Sequence, residues 1–157
     1  MIIGLDKLSI YKSMEKFIVY TDGGARGNPG PAAIGAVIKD SSGRTLKSYG
    51  EAIGKATNNE AEYRAVIFAL QKIKALIGKE GTKKLTVEVN MDSELVARQL
   101  GGEYKIEEER LFPHFIKVWN LKIDFGKIIF RHVPREKNKE ADRLVNEALD
   151  RRQRPLL

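Results

Sequence analysis

The sequence has no cysteine, and His114 and His132 are its only two histidines. Without cysteine, a disulfide scaffold, a thiolate nucleophile and a cysteine-based zinc site are excluded. Two histidines in a chain of 157 residues also argue against a histidine-rich metal site. Thiol chemistry and histidine-rich metal chemistry are therefore set aside.

Long apolar runs are also missing. Nowhere do about 18 apolar residues follow one another, which is the length that a membrane helix needs. The apolar opening, residues 1–14 (MIIGLDKLSIYKSM), is interrupted by Asp6, Lys7 and Lys12 before a secretory core is complete. We therefore expect no membrane anchor and a cytoplasmic protein.

The composition is that of one folded, basic domain. Lys and Arg number 28 against 21 Asp and Glu, a net charge of +7, and 42% of the residues are hydrophobic. We expect one domain over residues 15–150, an N-terminal extension (1–14) whose role the sequence does not assign, and a basic C-terminal tail (151–157). We also expect a monomer. The positive charge suits an acidic partner, of which nucleic acid is the commonest.

The hydrophobic pattern predicts a β-β-β-α-β-α-α-β-α order. We expect strands at 17–22, 32–38, 44–53, 85–91 and 127–133, and helices at 57–77, 93–100, 107–121 (bent or restarted at Pro113) and 138–152. A helix between the early strands and the strand at 85–91 favours a mixed sheet with parallel crossovers and helices on its faces. In such sheets, ligands bind outside the carboxyl ends of the parallel strands.

The segment 23–30 (GGARGNPG) is rich in glycine. It lacks the Lys of a P-loop, and it leads into an apolar strand where a dinucleotide fingerprint would open a helix. Its simplest interpretation is a loop between two strands. However, Asp22 stands directly before it at the end of a hydrophobic strand, where a carboxylate is costly unless its charge is compensated.

Two acids near the start of the 57–77 helix differ in their surroundings. Glu60 is explained by structure alone, because it completes a Thr-x-x-Glu capping box with Thr57 and stands four residues before Arg64 in ion-pair spacing. Glu62 instead lies on the apolar stripe of the helix. Glu62 is therefore the functional candidate.

Asp92 follows the strand at 85–91, and Asp142 stands early in the last helix. Taken singly, each has a structural explanation, as a helix N-cap for Asp92 and as a first-turn acid for Asp142. The parallel sheet would nevertheless bring both acids to one edge together with Asp22 and Glu62. Clustered carboxylates repel each other unless divalent cations lie among them, and oxygen ligands select Mg²⁺ or Mn²⁺. A basic protein with such a pocket suggests phosphodiester chemistry.

Four segments together resemble the type 1 ribonuclease H family: TDGGARGNPG (21–30), TNNEAEYRA (57–65), MDSELV (91–96) and HVPREKNKEADRL (132–144). The resemblance implies an α/β fold, the ribonuclease H-like fold, with a five-stranded mixed sheet whose first three strands are antiparallel and with helices on both faces. It also implies an endoribonuclease that cleaves the RNA strand of RNA/DNA hybrids by two-metal-ion in-line attack of water. The products would carry 3′-hydroxyl and 5′-phosphate ends, and the cofactors would be two Mg²⁺ ions, with Mn²⁺ as a substitute.

The same resemblance implies roles for individual residues. The family's metal-binding, catalytic acids fall on Asp22, Glu62, Asp92 and Asp142. Its substrate-binding positions fall on Gly23, Gly24, Ala25, Asn28, Thr57, Asn58, Asn59 and Glu94. Ala25 stands where relatives have Cys, so that only its backbone amide is available to RNA. Glu94 stands where relatives have Gln, and a carboxylate can only accept hydrogen bonds.

Two cations compete for a further catalytic role. His132 has the spacing of a family histidine that assists proton transfer or product release, but it falls at the end of a predicted strand. Arg135, seven residues before Asp142, is the alternative, since a guanidinium can hold a phosphate. The sequence does not decide between them.

Some bacterial members of the family carry a basic protrusion for the hybrid, where this chain has a short acidic stretch, 101–112 (GGEYKIEEERLF). Duplex RNA is an alternative substrate that the sequence leaves open. A ribonuclease H fold kept only for nucleic-acid binding is the alternative from another class. Such a protein would be expected to have lost at least one of the four acids, and none is lost here.

Overall fold

The computed structural model of the protein describes residues 14–153. Of the predicted N-terminal extension only Met14 lies within this part, and of the predicted basic tail only residues 151–153. The assignment of the other residues of these two segments, and the limits of the domain at 15–150, stay predictions.

Five strands form one mixed sheet in the order β3-β2-β1-β4-β5. They are β1 (Lys16–Ala25), β2 (Gly30–Asp40), β3 (Thr45–Ala56), β4 (Thr86–Met91) and β5 (Lys127–His132). The pairs β1–β2 and β2–β3 are antiparallel, whereas β1–β4 and β4–β5 are parallel. The predicted fold class is confirmed. The parallel pairing places the carboxyl ends of β1 and β4 at the same edge, which is where a ligand site is expected.

The helices cover both faces of the sheet. They are α1 (Asn58–Ile77), α2 (Lys79–Thr82), α3 (Glu94–Leu100), α4 (Phe112–Ile123) and α5 (Lys139–Gln153), with 3₁₀ turns at Glu109–Leu111 and Arg135–Lys137. One face carries the main core, which includes the buried Phe17, Tyr63 and Leu70. The other carries a smaller cluster in which Ala33 of β2 meets Val145 and other apolar residues of α5.

Helix α1 begins and ends where the sequence predicts. The Thr57 hydroxyl accepts a hydrogen bond from the Glu60 amide at 3.1 Å, and the Glu60 carboxylate accepts one from the Thr57 amide at 3.0 Å. This reciprocal capping box satisfies amides that have no partner within the helix. At the other end, Gly78 adopts a φ of 85°, which suits glycine and ends the helix.

Glycines let the helices approach the sheet closely. A Cβ atom at Gly35 would meet the backbone of Ala141, and one at Gly50 would meet the backbone of Leu144, so α5 lies directly against β2 and β3. A Cβ atom at Gly23 would overlap the backbone of Ala61 in α1. Both helices that carry predicted acids are thus held tightly to the sheet.

Of the boundaries that differ from the prediction, two change the assignment of whole segments. β1 does not end at Asp22 but continues to Ala25, which pairs with Ala32. The first residues of the predicted glycine loop are therefore strand, because small residues allow the antiparallel ladder to continue. The helix predicted at 107–121 is α4, which begins at Phe112 with Pro113 in its first turn, where a missing amide costs nothing.

Across residues 14–153, no helix combines the length with the apolar character that crossing a bilayer requires.

Candidate active site

Three carboxylates meet at the carboxyl ends of the two central parallel strands. Asp22 belongs to β1, Asp92 follows β4 directly, and Glu62 comes from the first turns of α1. One oxygen atom from each of the three lies within 4.8 Å of the others. The short distances follow from the parallel register of β1 and β4, in which Thr21 pairs with Met91. The sheet thus brings together three of the four acids that the sequence predicts.

Helix α1 delivers Glu62 to this cluster through a backbone contact. The overlap that a Cβ atom at Gly23 would make with Ala61 shows that α1 rests on the main chain of β1. Glu62, which follows Ala61, and Asp22, which precedes Gly23, are therefore neighbours. An oxygen of Asp22 and an oxygen of Glu62 lie within 4.8 Å of each other.

The cluster holds more negative charge than its surroundings neutralise. Burial, together with the nearby charges of Asp92 and Asp142, raises the pKa of Asp22 to about 7. Burial and the charge of Asp22 hold the pKa of Glu62 well above its usual range. Burial also raises the pKa of Asp92. Such a group of carboxylates binds either protons or cations at neutral pH.

One buried oxygen of the cluster has no hydrogen-bond partner among the described residues. Glu62 is 8% exposed, yet its Oε2 atom is left without a donor. An unpaired oxygen of this kind is costly unless a ligand satisfies it. Three convergent carboxylates with one free buried oxygen suit a hard divalent cation. The residues present therefore fit the metal site that the sequence predicts.

Asp142 lies at the rim of the site. It stands in the first turn of α5, is exposed to solvent and lines the same cleft, of about 410 Å³, as the other three acids. Its charge raises the pKa of both Asp22 and Asp92. Its carboxylate is nevertheless outside the group of three oxygens that lie within 4.8 Å. The expected cluster of four is thus a tight group of three with a fourth acid beside it.

Asp92 does not cap the following helix, contrary to the structural alternative considered for it. The N-cap of α3 is Ser93, whose hydroxyl accepts a hydrogen bond from the Val96 amide at 3.2 Å. The Asp92 carboxylate therefore remains available to the cleft.

Asn138 is a site residue that the sequence pattern did not single out. It is 1% exposed, and its Nδ2 atom donates to the carbonyl of Thr21 at 2.9 Å. Its side chain offsets part of the rise that burial causes in the pKa of Asp92, while its carbonyl accepts the amide of Asp142 at 3.1 Å. Asn138 thus ties both acids to β1. An asparagine four residues before Asp142, at a predicted helix start, was the available signal.

The two competing cations lie in different places. Arg135 lines the acidic cleft, and its positive charge offsets part of the rise that burial causes in the pKa of Asp92. His132 is the last residue of β5 and lines a separate groove on the outer side of the sheet. Of these two cations, Arg135 is therefore the one that lines the cleft of the acids.

The glycine segment and the start of α1 are joined by hydrogen bonds. The Ala25 amide donates to Oδ1 of Asn58 at 2.9 Å, and the Asn58 amide donates to Oδ1 of Asn28 at 3.0 Å. Both side-chain oxygens are thus engaged within the protein, so each Asn presents its NH₂ group as a donor to a ligand. Gly23, Gly24, Ala25 and Asn58 line the acidic cleft, which Asn28 does not.

The remaining predicted substrate positions do not line the cleft. Thr57 is buried in its capping role. The side-chain amide of Asn59 donates to Glu108 at 3.5 Å, and Glu94 accepts a hydrogen bond from Arg98 at 2.9 Å on the exposed side of α3. In the structure, Thr57, Asn59 and Glu94 therefore lie outside the group of acids.

The prediction of an ion pair between Glu60 and Arg64 is wrong. Glu60 instead lies 3.7 Å from His114 and 3.9 Å from Arg110. The guanidinium of Arg64 donates to the carbonyl of Ile53 at 3.2 Å. Glu60 therefore connects the start of α1 to the start of α4, and its role is structural, as predicted.

Known proteins resemble this chain over most of its length. A family model described as "Reverse transcriptase-like" matches residues 20–148. The ribonuclease HI of Halobacterium salinarum is 41% identical over 131 residues, which is 83% of this chain and 63% of that protein. A bifunctional protein of Mycobacterium tuberculosis is 40% identical over 136 residues, 86% of this chain but only 36% of that protein. The chain thus spans less than two thirds of either relative.

Solved structures agree with these matches. LC11-RNase H1, isolated from compost by a metagenomic approach, superposes with a TM-score of 0.83 at 49% identity, over 90% of this chain and all (100%) of that one. The same enzyme in complex with an RNA/DNA hybrid gives a TM-score of 0.83 at 48% identity, over 88% of this chain and 99% of the other. The Halobacterium salinarum enzyme gives 0.79 at 40% identity, over 87% and 98% of the two chains.

Proposed function

Because this chain belongs to the type 1 ribonuclease H family, we propose that it hydrolyses the RNA strand of RNA/DNA hybrids. The observation that carries the proposal is the buried cluster of Asp22, Glu62 and Asp92, with oxygens within 4.8 Å of one another. The structure of LC11-RNase H1 with an RNA/DNA hybrid supports the substrate, since that protein is 48% identical to this chain.

In this proposal the acids of the cleft hold two divalent cations, Mg²⁺ or in its place Mn²⁺. Asp22, Glu62 and Asp92 are the inner ligands, and Asp142 contributes from the rim. When bound, two such ions would supply the positive charge for in-line attack by water and for a leaving 3′-oxygen, so that the products would carry 3′-hydroxyl and 5′-phosphate ends. The raised pKa values of Asp22 and Glu62 mean that these carboxylates must lose protons before the cations bind.

The protein's own residues position the substrate. Arg135, at the wall of the cleft, neutralises the phosphate that reacts, because its guanidinium is always charged and forms two parallel hydrogen bonds with phosphate oxygens. This assignment leaves His132 without a part in the chemistry.

The ribose is recognised by the segment that joins β1 to β2 and by the start of α1. Asn28 and Asn58 present donors, because their oxygens are engaged by backbone amides. A 2′-hydroxyl can accept these hydrogen bonds, whereas DNA has no oxygen at that position. Asn59, Glu94 and the backbone of Gly23, Gly24 and Ala25 complete the predicted contacts to RNA. Thr57, at the start of α1, suits a phosphate of the DNA strand.

The test is a cleavage assay with three matched substrates: an RNA/DNA hybrid, duplex RNA and duplex DNA of one sequence, each with Mg²⁺. We expect shortened RNA from the hybrid and no cleavage of duplex DNA. Asp22→Asn should abolish cleavage, and Glu51→Gln, on exposed β3, should leave it unchanged. Undiminished cleavage by Asp22→Asn would contradict the mechanism. Binding without cleavage by the wild-type protein would favour the non-catalytic alternative.

Cleavage rates measured side by side on the hybrid and on duplex RNA decide whether duplex RNA is also a substrate. A monomeric state and a cytoplasmic location stay predictions.

A further inference from the structure

The strand β5 forms one edge of the sheet. Across residues 14–153, no other strand pairs with its outer side. The amide of Lys127 donates to the Leu85 carbonyl at 3.1 Å, and that of Val133 donates to the Met91 carbonyl at 2.9 Å. Because successive residues of a strand point their backbone groups to opposite sides, the amides of alternate residues face β4. Those of Ile128, Phe130 and His132 therefore face outward.

A groove runs beside this edge, between β5 and α3. Its volume is about 650 Å³. Ala97 and Leu100 of α3 form one wall, and Ile128 and Phe130 of β5 form the other. Ile128 is buried in the main core and Phe130 packs against it, so these two side chains lie on the α3 face of the strand. An added strand would therefore meet apolar surface on this face.

The other face of β5 is basic. Lys127 and Arg131 stand four residues apart and are both exposed, so strand alternation places them together on the face away from α3. Arg131 pairs with Glu88 of β4 at 3.2 Å, whereas Lys127 makes no ion pair with any residue in the part of the chain that the structure describes. Lys122 adds positive charge to the groove, whereas Arg98 is paired with Glu94 at 2.9 Å and with Glu103 at 2.8 Å. An acidic partner is favoured.

The opposite edge of the sheet is less suited to pairing. β3 pairs with β2 through two register irregularities, at Ala32/Ala33 and at Ile38/Lys39. Such bulges twist an edge away from further strands. The pairing of β5 with β4 is regular over its whole length. Of the two edges, only β5 thus combines a straight ladder with an adjacent apolar groove.

We propose that β5 accepts an extended peptide as a sixth strand, one in which acidic and apolar residues alternate. The outward backbone groups of Ile128, Phe130 and His132 form the ladder with it. Its apolar side chains enter the groove beside Phe130, and its acidic side chains lie opposite Lys127 and Arg131. This surface is separate from the acidic cleft, so the proposal does not depend on the hydrolysis of hybrids.

The first test is a comparison of two fluorescein-labelled heptapeptides of identical composition. In one, Asp and Val alternate, and in the other four Asp precede three Val. We expect the full-length protein to bind the alternating peptide at least tenfold more tightly, measured by fluorescence anisotropy at low salt. Equal affinities would overturn the proposal, because charge alone would then explain the binding.

A matched pair of charge reversals locates the site. Lys127→Glu should weaken binding of the alternating peptide about fivefold, because an attractive cross-strand pair becomes a repulsive one. Lys47→Glu makes the same change on the other edge strand, β3, and should leave the affinity within twofold. Equal effects of both variants would contradict binding at β5. Neither residue belongs to the acidic cleft, so hydrolysis of hybrids should be unchanged in both variants.

Hydrogen exchange followed by NMR provides the decisive readout. On addition of the alternating peptide, exchange of the Ile128, Phe130 and His132 amides should slow at least tenfold. The amides of Ile129 and Arg131, which already face β4, should not change. Outward amides that exchange slowly in the free protein would show that the edge is already covered by this chain or a second copy, and would overturn the proposal. Protection of the same amides by an RNA/DNA hybrid but not by the peptide would assign the surface to nucleic acid and would also overturn it.

Discussion

Gly23 of β1 and Ala61 of α1 lie so close together that a Cβ atom on the glycine would overlap the alanine backbone. Each of these residues is next in sequence to one acid of the cleft, Asp22 and Glu62. The separation of the two carboxylates is therefore set by a contact between main chains. Main chains are stiffer than side chains, and this stiffness suits a site that must hold repelling charges together.

Replacing Gly23 with alanine should push α1 away from β1. We expect Gly23→Ala to lower the free energy of unfolding by about 3 kcal/mol, because the added methyl group has no space. It should also reduce hydrolysis of the hybrid, because Glu62 moves with the helix. Urea denaturation and the cleavage assay measure the two effects. Gly24→Ala is the matched control for stability, since its Cβ atom would lie 3.6 Å from Val145, an ordinary contact. Equal stability losses in both variants would contradict this explanation.

Replacing Asp22 with asparagine should stabilise the metal-free protein at neutral and alkaline pH. The pKa of Asp22 is raised from 3.8 to about 7, so the folded state binds more protons than the unfolded state between these values. The stabilisation from this proton is complete below pH 4 and is lost as the pH rises through 7. The variant avoids this loss. The free energy of unfolding of the variant, relative to that of the wild type, should increase by roughly 3 kcal/mol between pH 5 and pH 8.

Thermal unfolding of both proteins in EDTA, at several pH values, measures this difference. The pKa of Glu62 should fall in the variant, because the charge of Asp22 is one of the causes that raise it. The difference between the two proteins therefore reports on Asp22 together with Glu62. An advantage that stayed constant or shrank with rising pH would contradict the raised pKa.

Divalent cations should stabilise the wild-type protein by binding to the folded state alone. At ten times the dissociation constant, one Mn²⁺ ion adds about 1.4 kcal/mol, or roughly 3–6 °C in the unfolding midpoint of a domain of this size. Glu62→Gln should lose this shift, because the residue with the unpaired buried oxygen no longer carries a charge. Glu51→Gln should keep it. A full Mn²⁺ shift in Glu62→Gln would place the ion elsewhere.

Two alanine substitutions test whether Arg135 or His132 takes part in the reaction. Arg135→Ala should lower kcat for the hybrid about 100-fold, which is the usual effect of losing one group that stabilises the reacting charge. His132→Ala should change it by less than twofold, since this residue faces the groove beside β5. Arg135→Lys should recover part of the activity, because lysine keeps the charge without the planar fork. A larger effect of His132→Ala than of Arg135→Ala would reverse the assignment.

The sequence predicted helix α1 well because its signals are local. The capping box of Thr57 and Glu60, the apolar stripe and the terminal Gly78 all lie within one stretch of chain, and each acts through its near neighbours. The burial of Glu62 followed from the same stripe. The end of β1 was predicted less well, because the strand continues to Ala25 through pairing with the separate segment around Ala32.

The arrangement of the site was only partly predictable. The parallel sheet predicted that Asp22, Glu62 and Asp92 would meet, since strand ends and helix starts share one edge. The position of Asp142 at the rim depends on how α5 packs on the far face of the sheet, which no local pattern records. Asn138 was missed for a similar reason, because its partner Thr21 is 117 residues away in the sequence. The functional roles of all these residues stay predictions.

The two hydrogen bonds that link the Ala25–Asn28 turn to Asn58 make one unit of two distant pieces of chain. A change in the conformation of the turn therefore alters the beginning of α1, and a change at the beginning of α1 alters the turn. Effects of paired substitutions at Asn28 and Asn58 on ribose discrimination should for that reason not add up. Discrimination between RNA and DNA would then depend on the two hydrogen-bonded segments as one unit, and no separate contribution could be assigned to either asparagine.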